Sequence, residues 1–249
     1  MIVIPMVGLS SRFFREGFDL PKYQLLIGDK TVFACVINSF RRYFFTDKFL
    51  ILCRNDFNTR SFVIHELTKL GVLDFEVIVF YENTLGQAHT VYKGLRNIGD
   101  DEELYIFNID TFRFNFEKFD CFNTCHGYLE VVVENGDNWS FVLPGPNSKV
   151  LKTTEKDRIS DLCSNGLYYF KRKDYFDIAF DFYYRNNIYV NGEFYIAPLY
   201  NKLIDMGLDI YFQVVNSGDV IFCGTPIEYS AILGSDMVHK ISDFNFQGK

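Results

Sequence analysis

The residues best suited to chemistry gather in a loop near the start of the chain. Gly8-Leu9-Ser10-Ser11-Arg12-Phe13 follows the apolar run Ile2-Val3-Ile4-Pro5-Met6, and Pro21-Lys22-Tyr23 closes the same polar stretch, Val7 to Pro21. Such a loop suits a polyphosphate: Gly8 lets the backbone approach a ligand, successive amides can point at phosphate oxygens, and Arg12 and Lys22 add charge-assisted donors. By composition alone such a loop is more often a solvated turn than a site. Its position directly after a buried strand favours a site. A second signal is Asn108-Ile109-Asp110, delivered by an apolar run to the end of a strand, where α/β sheets collect their ligands.

The elements that must hold these residues alternate. Strands are expected at Ile2 to Met6, Phe49 to Cys53, Phe75 to Tyr81 and Leu104 to Ile109. Helices are expected between them, from Thr31 to Phe44, Asn58 to Leu70 and Gly86 to Ile98. This alternation predicts a Rossmann-like, doubly wound α/β fold with a mostly parallel mixed sheet. After about residue 125 the pattern becomes β-rich: Tyr128 to Glu134, Ser140 to Leu143 and Leu167 to Phe170 read as strands, with turns at Asn135-Gly136 and Pro144-Gly145-Pro146. A helix from Glu193 to Met206, closed by Gly207, precedes a strand from Ile210 to Val215. The expectation is one domain, 1–249, with a nucleotide-binding half over 1–125 and a smaller acceptor-binding half over 126–249.

Composition narrows the class. A chain of 249 residues that is 48% hydrophobic can bury a sizeable core. A net charge of −7 argues against holding nucleic acid on a broad basic face. No apolar run is long enough for a membrane helix, and no secretory leader pattern opens the sequence. The six cysteines, Cys35, Cys53, Cys121, Cys125, Cys163 and Cys223, are scattered, and the expectation is reduced thiols in a cytoplasm. Cys121, Cys125 and His126 approach metal-ligand spacing but have no fourth partner, so they read as packing residues instead of a zinc site. The abundant Phe and Tyr spread along the whole chain, as core residues do.

The loop with its arginine, followed some ten residues later by Pro21-Lys22, resembles the signature of the sugar-nucleotidyltransferase family. Further matches follow in the family's order: Leu85-Gly86-Gln87-Ala88, Asn108-Ile109-Asp110, Glu155-Lys156, Asn165-Gly166-Leu167-Tyr168-Tyr169-Phe170, Gly192-Glu193-Phe194-Tyr195 and Gly224-Thr225-Pro226. The resemblance implies a Mg²⁺-dependent transfer of a nucleoside monophosphate from a nucleoside triphosphate to a phosphorylated small-molecule acceptor. It implies that pyrophosphate would be released and that the product would serve surface polysaccharides such as a capsule. It implies that Val7, Gly8, Leu9, Ser10, Ser11, Arg12, Lys22, Gly86 and Gln87 bind the nucleotide. Arg12, Lys22 and Asp110 would be catalytic, with Asp110 the metal ligand. Lys156 would anchor the acceptor's phosphate, with Asn165, Gly166 and Glu193 around the acceptor. The oligomeric state stays open.

Two positions depart from the family pattern. Ser10 stands where many members carry a second glycine; relatives with Gly-x-Ser-x-Arg include users of cytidine nucleotides, which inclines the reading to CTP. Phe222 stands where many carry a second metal-binding aspartate, so either Asp219 or Glu193 substitutes, or one carboxylate suffices. Other readings are a sugar-1-phosphate nucleotidyltransferase using UTP, GTP or dTTP, a glycosyltransferase of related fold, and a non-catalytic nucleotide-binding regulator. The grip on departing pyrophosphate that Arg12 and Lys22 offer argues against the last two.

Overall fold

The computed structural model describes residues 1–120 and 124–243. The chain opens with strand β1 (Ile2–Met6), a short helix α1 (Ser11–Arg15), a small hairpin of β2 (Leu26–Ile27) and β3 (Lys30–Thr31), and helix α2 (Val32–Asn38). Then come β4 (Lys48–Arg54), α3 (Thr59–Leu70), β5 (Asp74–Phe80), α4 (Gln87–Gly94), β6 (Leu104–Phe107) and β7 (Thr111–Arg113). The β-rich part holds β8 (Cys125–Val133), β9 (Ser140–Pro144), β10 (Val150–Glu155) and β11 (Leu162–Phe170). It is followed by α5 (Lys173–Arg185), α6 (Leu199–Asp205), β12 (Asp209–Val214), β13 (Val220–Phe222), α7 (Pro226–Leu233) and α8 (Met237–Asp243).

One nine-stranded sheet links both parts of the chain, in the order β10-β9-β11-β6-β1-β4-β5, with β8 paired to β11 and β12 paired to β8. Strands β6, β1, β4 and β5 are parallel, and β11 turns the direction by pairing antiparallel with β6. Alternation along β1 sends Ile2, Ile4 and Met6 to one face, under α2 and α3, and Val3 to the other, where Ala88, Val91, Phe176, Phe180 and Leu203 from α4, α5 and α6 cover it. With helices on both faces, the fold is the doubly wound α/β arrangement that the alternation predicts.

The sheet opens where the site lies. From β1 the chain winds outward through β4 and β5, then crosses back to place β6 on β1's other edge. β6 registers against only Ile2 and Val3, so the two strands diverge before Pro5, whose missing N–H costs no ladder bond there. The carboxyl ends of β1 and β6 border the resulting crevice, as expected at a topological switch point.

Several elements differ from the sequence expectation. The helix expected over Thr31–Phe44 ends at Asn38 and gives way to a 3₁₀ turn at Arg41–Tyr43. That expected over Gly86–Ile98 stops at Gly94. The helix expected from Glu193 starts only at Leu199, because residues before it are extended: Val190 and Glu193 pair, and the Phe194 backbone bonds to Leu85 and Ala88. Strand β11 begins at Leu162, five residues earlier than expected, and α1, α5, α7, α8, β2, β3, β7, β10 and β13 are additional. Cys35, Cys53, Cys163 and Cys223 are free and buried. Cys125 departs from the expectation of reduced thiols, being disulfide-bonded, while Cys121 lies outside the described residues. Among the described residues no helix is long and apolar enough to cross a membrane.

Candidate active site

Two clefts meet at the carboxyl edge of the sheet. The first, of 640 Å³, is walled by Val7 to Phe13, Lys22, Asn83, Thr84, Gly86, Gln87, Asp110 and Glu193. The second, of 1250 Å³, is walled by Trp139, Glu155, Lys156, Asn165, Tyr168, Phe222 and the start of α7. Arg12, Arg15, Gln87, Asn108, Asp110, Tyr195 and Gly224 line both. Asp110 thus stands on the wall the clefts share.

The loop after β1 is tied to the Pro21-Lys22 segment. Ser10 adopts φ +51° and ψ 27°, a left-handed conformation that favours glycine. Its side chain explains why serine stands there: the Ser10 hydroxyl accepts a hydrogen bond from the Lys22 amide at 3.2 Å, which glycine could not do. Lys22 then reaches across the crevice, its Nζ donating to Asp110 Oδ2 at 2.5 Å with both side chains about one-fifth exposed (19% and 24%). In this arrangement Lys22 and Asp110 neutralise each other, and Arg12 stands exposed on the loop beside them.

Gly86 is a position only glycine fits. Its φ of +106° and ψ of 177° fall in a region essentially closed to other residues. A Cβ there would lie 2.6 Å from the Phe194 nitrogen. Phe194 N donates to Leu85 O at 2.7 Å and Ala88 N donates to Phe194 O at 3.0 Å, so the segment reading into the first cleft is stitched to the one carrying Glu193 and Tyr195. The amide of Gln87 donates to Asn108 Oδ1 at 2.5 Å.

The second cleft rests on a buried polar strut. Strand β11 bulges between Ser164 and Tyr168. Asn165 faces this cleft, but its Nδ2 donates to Glu130 at 2.7 Å and its Oδ1 accepts from the Leu167 amide at 3.0 Å. Glu130 is fully buried and paired with Arg113 at 2.8 Å. Leaving either charge alone would cost roughly 3–5 kcal/mol. Gly166 lines neither cleft; φ is +96°, and Asn108 packs 2.5 Å from where its Cβ would sit, so it supports Asn108 from beneath.

Lys156 points into the second cleft with its Nζ donating to the Tyr195 hydroxyl at 2.6 Å, and that hydroxyl donates to Glu193 at 2.7 Å. Neighbouring Glu155 is buried, which pushes its pKa up despite the hydrogen bond from Ser140 and the charge of Lys156. Burial likewise pushes Tyr168 up to about 12. Trp139 packs on Phe222 with ring centroids 4.6 Å apart, giving this cleft an aromatic wall.

Among the residues expected from sequence, Val7 to Arg12, Lys22, Gly86, Gln87 and Asp110 come together in the first cleft, and Lys156 and Asn165 in the second. Glu193, expected around the acceptor, lines the first cleft and accepts a hydrogen bond from Tyr195, which lines both. Asp219 lines neither cleft; it sits in a 3₁₀ turn, where its carbonyl accepts from Phe114 N. Among the described residues no three His, Cys, Asp or Glu side chains gather closely enough to form a metal cage. A hard cation at Asp110 would complete its shell largely with phosphate oxygens and water, as Mg²⁺ commonly does. Sequence reasoning gave no role to Tyr195, Asn108 or Arg15. Tyr195 and Asn108 sat inside motifs that were recognised, and only the geometry shows them facing the clefts.

No family model matches the chain, and no curated protein is similar to it. Solved structures are. The nucleoside-diphosphate-sugar pyrophosphorylase of Vibrio cholerae RC9 is 44% identical, over 94% of this chain and 100% of that one, with a TM-score of 0.89. The inositol-1-phosphate CTP transferase of T. maritima is similar in fold at 14% identity, covering 100% of this chain and 97% of that one with a TM-score of 0.73. So is the CTP:phosphocholine cytidylyltransferase of Streptococcus pneumoniae, at 14% identity, 94% and 97% coverage and a TM-score of 0.69. The fold is the one these nucleotidyltransferases share. The chain belongs to the nucleotidyltransferase family of the V. cholerae pyrophosphorylase.

Proposed function

We propose that this protein transfers a cytidylyl group from CTP to a phosphorylated small molecule, releasing pyrophosphate, with Mg²⁺ held at Asp110. The observation that carries the reading is the shared wall: Asp110, Arg12 and Lys22 border the first cleft where it opens into the second, and Lys156 faces that junction from the other side. A triphosphate along the Val7–Arg12 loop sets its α-phosphorus near Asp110, and an acceptor phosphate on Lys156 presents an oxygen to it. That oxygen forms the new bond to the α-phosphorus as the bond to the β-phosphate's bridging oxygen breaks. The acceptor phosphate is already anionic at neutral pH, so no side chain need act as nucleophile; positioning and electrostatic stabilisation do the work.

Mg²⁺ supplies charge neutralisation for the phosphates when bound. A triphosphate would draw the Lys22 ammonium from Asp110 to its phosphate oxygens, freeing the carboxylate that would hold the cation. Arg12 and Lys22 then meet the charge that grows on departing pyrophosphate. Gln87, at the start of α4, faces the base through whatever hydrogen-bonding capacity Asn108 leaves.

CTP is named on the resemblance of Gly8-Leu9-Ser10-Ser11-Arg12 to cytidine-nucleotide users. The acceptor we name is phosphoglutamine, which makes the protein a CTP:phosphoglutamine cytidylyltransferase of capsule assembly in the cytoplasm. The second reading is a sugar-1-phosphate acceptor with UTP, GTP or dTTP, favoured by the likeness to a nucleoside-diphosphate-sugar pyrophosphorylase. Pyrophosphate release with Mg²⁺, measured for CTP, UTP, GTP, ATP and dTTP against phosphoglutamine, phosphocholine and sugar 1-phosphates, separates the two. Release with CTP and phosphoglutamine alone is expected; release only with a sugar 1-phosphate contradicts the first reading and supports the second.

A further inference from the structure

The side chain that physically joins the two clefts is Tyr195, which lines both. Burial foremost, and Glu193 beside it, raise the phenol's pKa, so its proton stays on at neutral pH. A phenol has one proton to give. That proton goes to Glu193 Oε2 at 2.7 Å, which leaves the oxygen's lone pairs facing Lys156 Nζ at 2.6 Å. The polarity of the chain Lys156 to Tyr195 to Glu193 is therefore fixed.

This matters because a lysine head group on a flexible four-carbon stem is otherwise free among many rotamers, an entropy that ligand binding must overcome. The backbone end of Lys156 is already pinned, with φ at +55° and its amide donating to Trp139 O at 2.8 Å. Tyr195 pins the other end and leaves two of the three ammonium protons for an anion. Tyr195 is itself held, because the adjacent Phe194 is bonded through both its backbone groups to Leu85 and Ala88 in the wall of the first cleft. The ammonium's position is thus referred to the segment that faces the nucleotide.

We propose that Tyr195 is a positioning residue for the acceptor side of the reaction: its hydroxyl holds the Lys156 ammonium where the acceptor's phosphate meets it, in register with the nucleotide cleft. The proposal rests on the reading of Lys156 as the phosphate anchor. Replacing Tyr195 with Phe keeps the ring and removes the hydroxyl.

Trp139 is the chain's one tryptophan and lines the same cleft as Lys156, so its fluorescence reports occupancy there. The intact chain, Tyr195→Phe and Lys156→Ala would each be titrated with inorganic phosphate under saturating CTP, with CTP affinity and Tm measured in parallel. Tyr195→Phe should weaken phosphate about tenfold, the scale of a hydrogen bond to a charged group, and Lys156→Ala should abolish the saturable response. CTP affinity and Tm should hold. In turnover with phosphoglutamine, Tyr195→Phe should raise the acceptor KM while the CTP KM stays. Unchanged phosphate affinity in Tyr195→Phe, beside a loss in Lys156→Ala, overturns the role of Tyr195 and leaves the anchor reading standing. No loss in either variant overturns both. Equal weakening of phosphate and CTP with a lowered Tm makes Tyr195 a structural residue and also overturns the proposal.

Discussion

The two clefts are built in opposite ways. The first is assembled from short contiguous segments at strand ends, Val7 to Phe13 after β1 and Asn108 to Asp110 after β6, and the fold's switch point brings them together. The second is assembled from residues distant in sequence: Trp139 before β9, Lys156 after β10, Asn165 in a bulge of β11, Tyr195 in an extended stretch, and Phe222 at the end of β13. In the first cleft the key charges, Lys22 and Asp110, pair with each other. In the second, Lys156 is held by a neutral hydroxyl and keeps hydrogen-bonding capacity to spare. On the proposed reading, the cleft for a highly charged triphosphate is self-neutralised in the free protein, and the cleft for the acceptor is pre-set.

That contrast can be broken, beginning with the largest effect. Asp110→Ala should abolish magnesium-dependent turnover while far-UV circular dichroism and Tm change little; an unchanged magnesium titration would remove Asp110 from the junction. Lys22→Ala should lower kcat by about 10²- to 10³-fold, or about 3–4 kcal/mol, if it meets charge that develops as pyrophosphate leaves. Near-normal turnover would refute that role.

Gly86→Ala forces a Cβ onto the Phe194 backbone at a φ of +106°. We expect about 1–3 kcal/mol of lost stability by denaturant unfolding, and raised KM for both substrates because this contact joins both walls. A rise confined to the nucleotide would show that the walls are not coupled here. Lys156→Ala should raise the acceptor KM by about a hundredfold, well beyond the Tyr195→Phe effect, with the nucleotide KM held, and equal changes in both would move Lys156 away from the acceptor.

The smallest effect concerns Glu155. Its pKa is raised by burial, so the folded state holds the proton more tightly than the unfolded chain. Stability from this group is then fully present below the ordinary carboxylate pKa and is lost as pH rises through the raised value. Glu155→Gln should flatten that fall in Tm with rising pH, and an unaltered slope would show that Glu155 ionises without penalty.

Legibility followed the same division. Strands β1, β4 and β6 were readable because each is a buried apolar run, and β5, half-buried at the sheet edge, by its apolar alternation alone; the first cleft was readable because its residues fall in short contiguous segments. Ser10 looked like a defect in the loop until its hydroxyl was seen on the Lys22 amide. The second cleft was readable only in fragments. Asn165 and Gly166 stood out as a motif, but the motif serves the Glu130–Arg113 strut and the seating of Asn108, and a buried ion pair between distant strands leaves no local pattern. Residues 193–198 carry enough apolar side chains to resemble a helix start, yet the Phe194 backbone is bonded to Leu85 and Ala88 and that of Glu193 to Val190, a tertiary demand that overrides local periodicity. Helix α5 does show apolar spacing at Phe176, Ala179, Phe180 and Tyr183, a signal masked by the density of aromatics around it.

The most direct test of the central claim follows the phosphates themselves. Turnover with CTP labelled at either the α- or the γ-phosphorus, Mg²⁺ and phosphoglutamine should place the α label in the acceptor-linked product and the γ label in pyrophosphate. Label from the γ-phosphorus in the product, or α label remaining with free CMP, would contradict transfer at the junction of the two clefts.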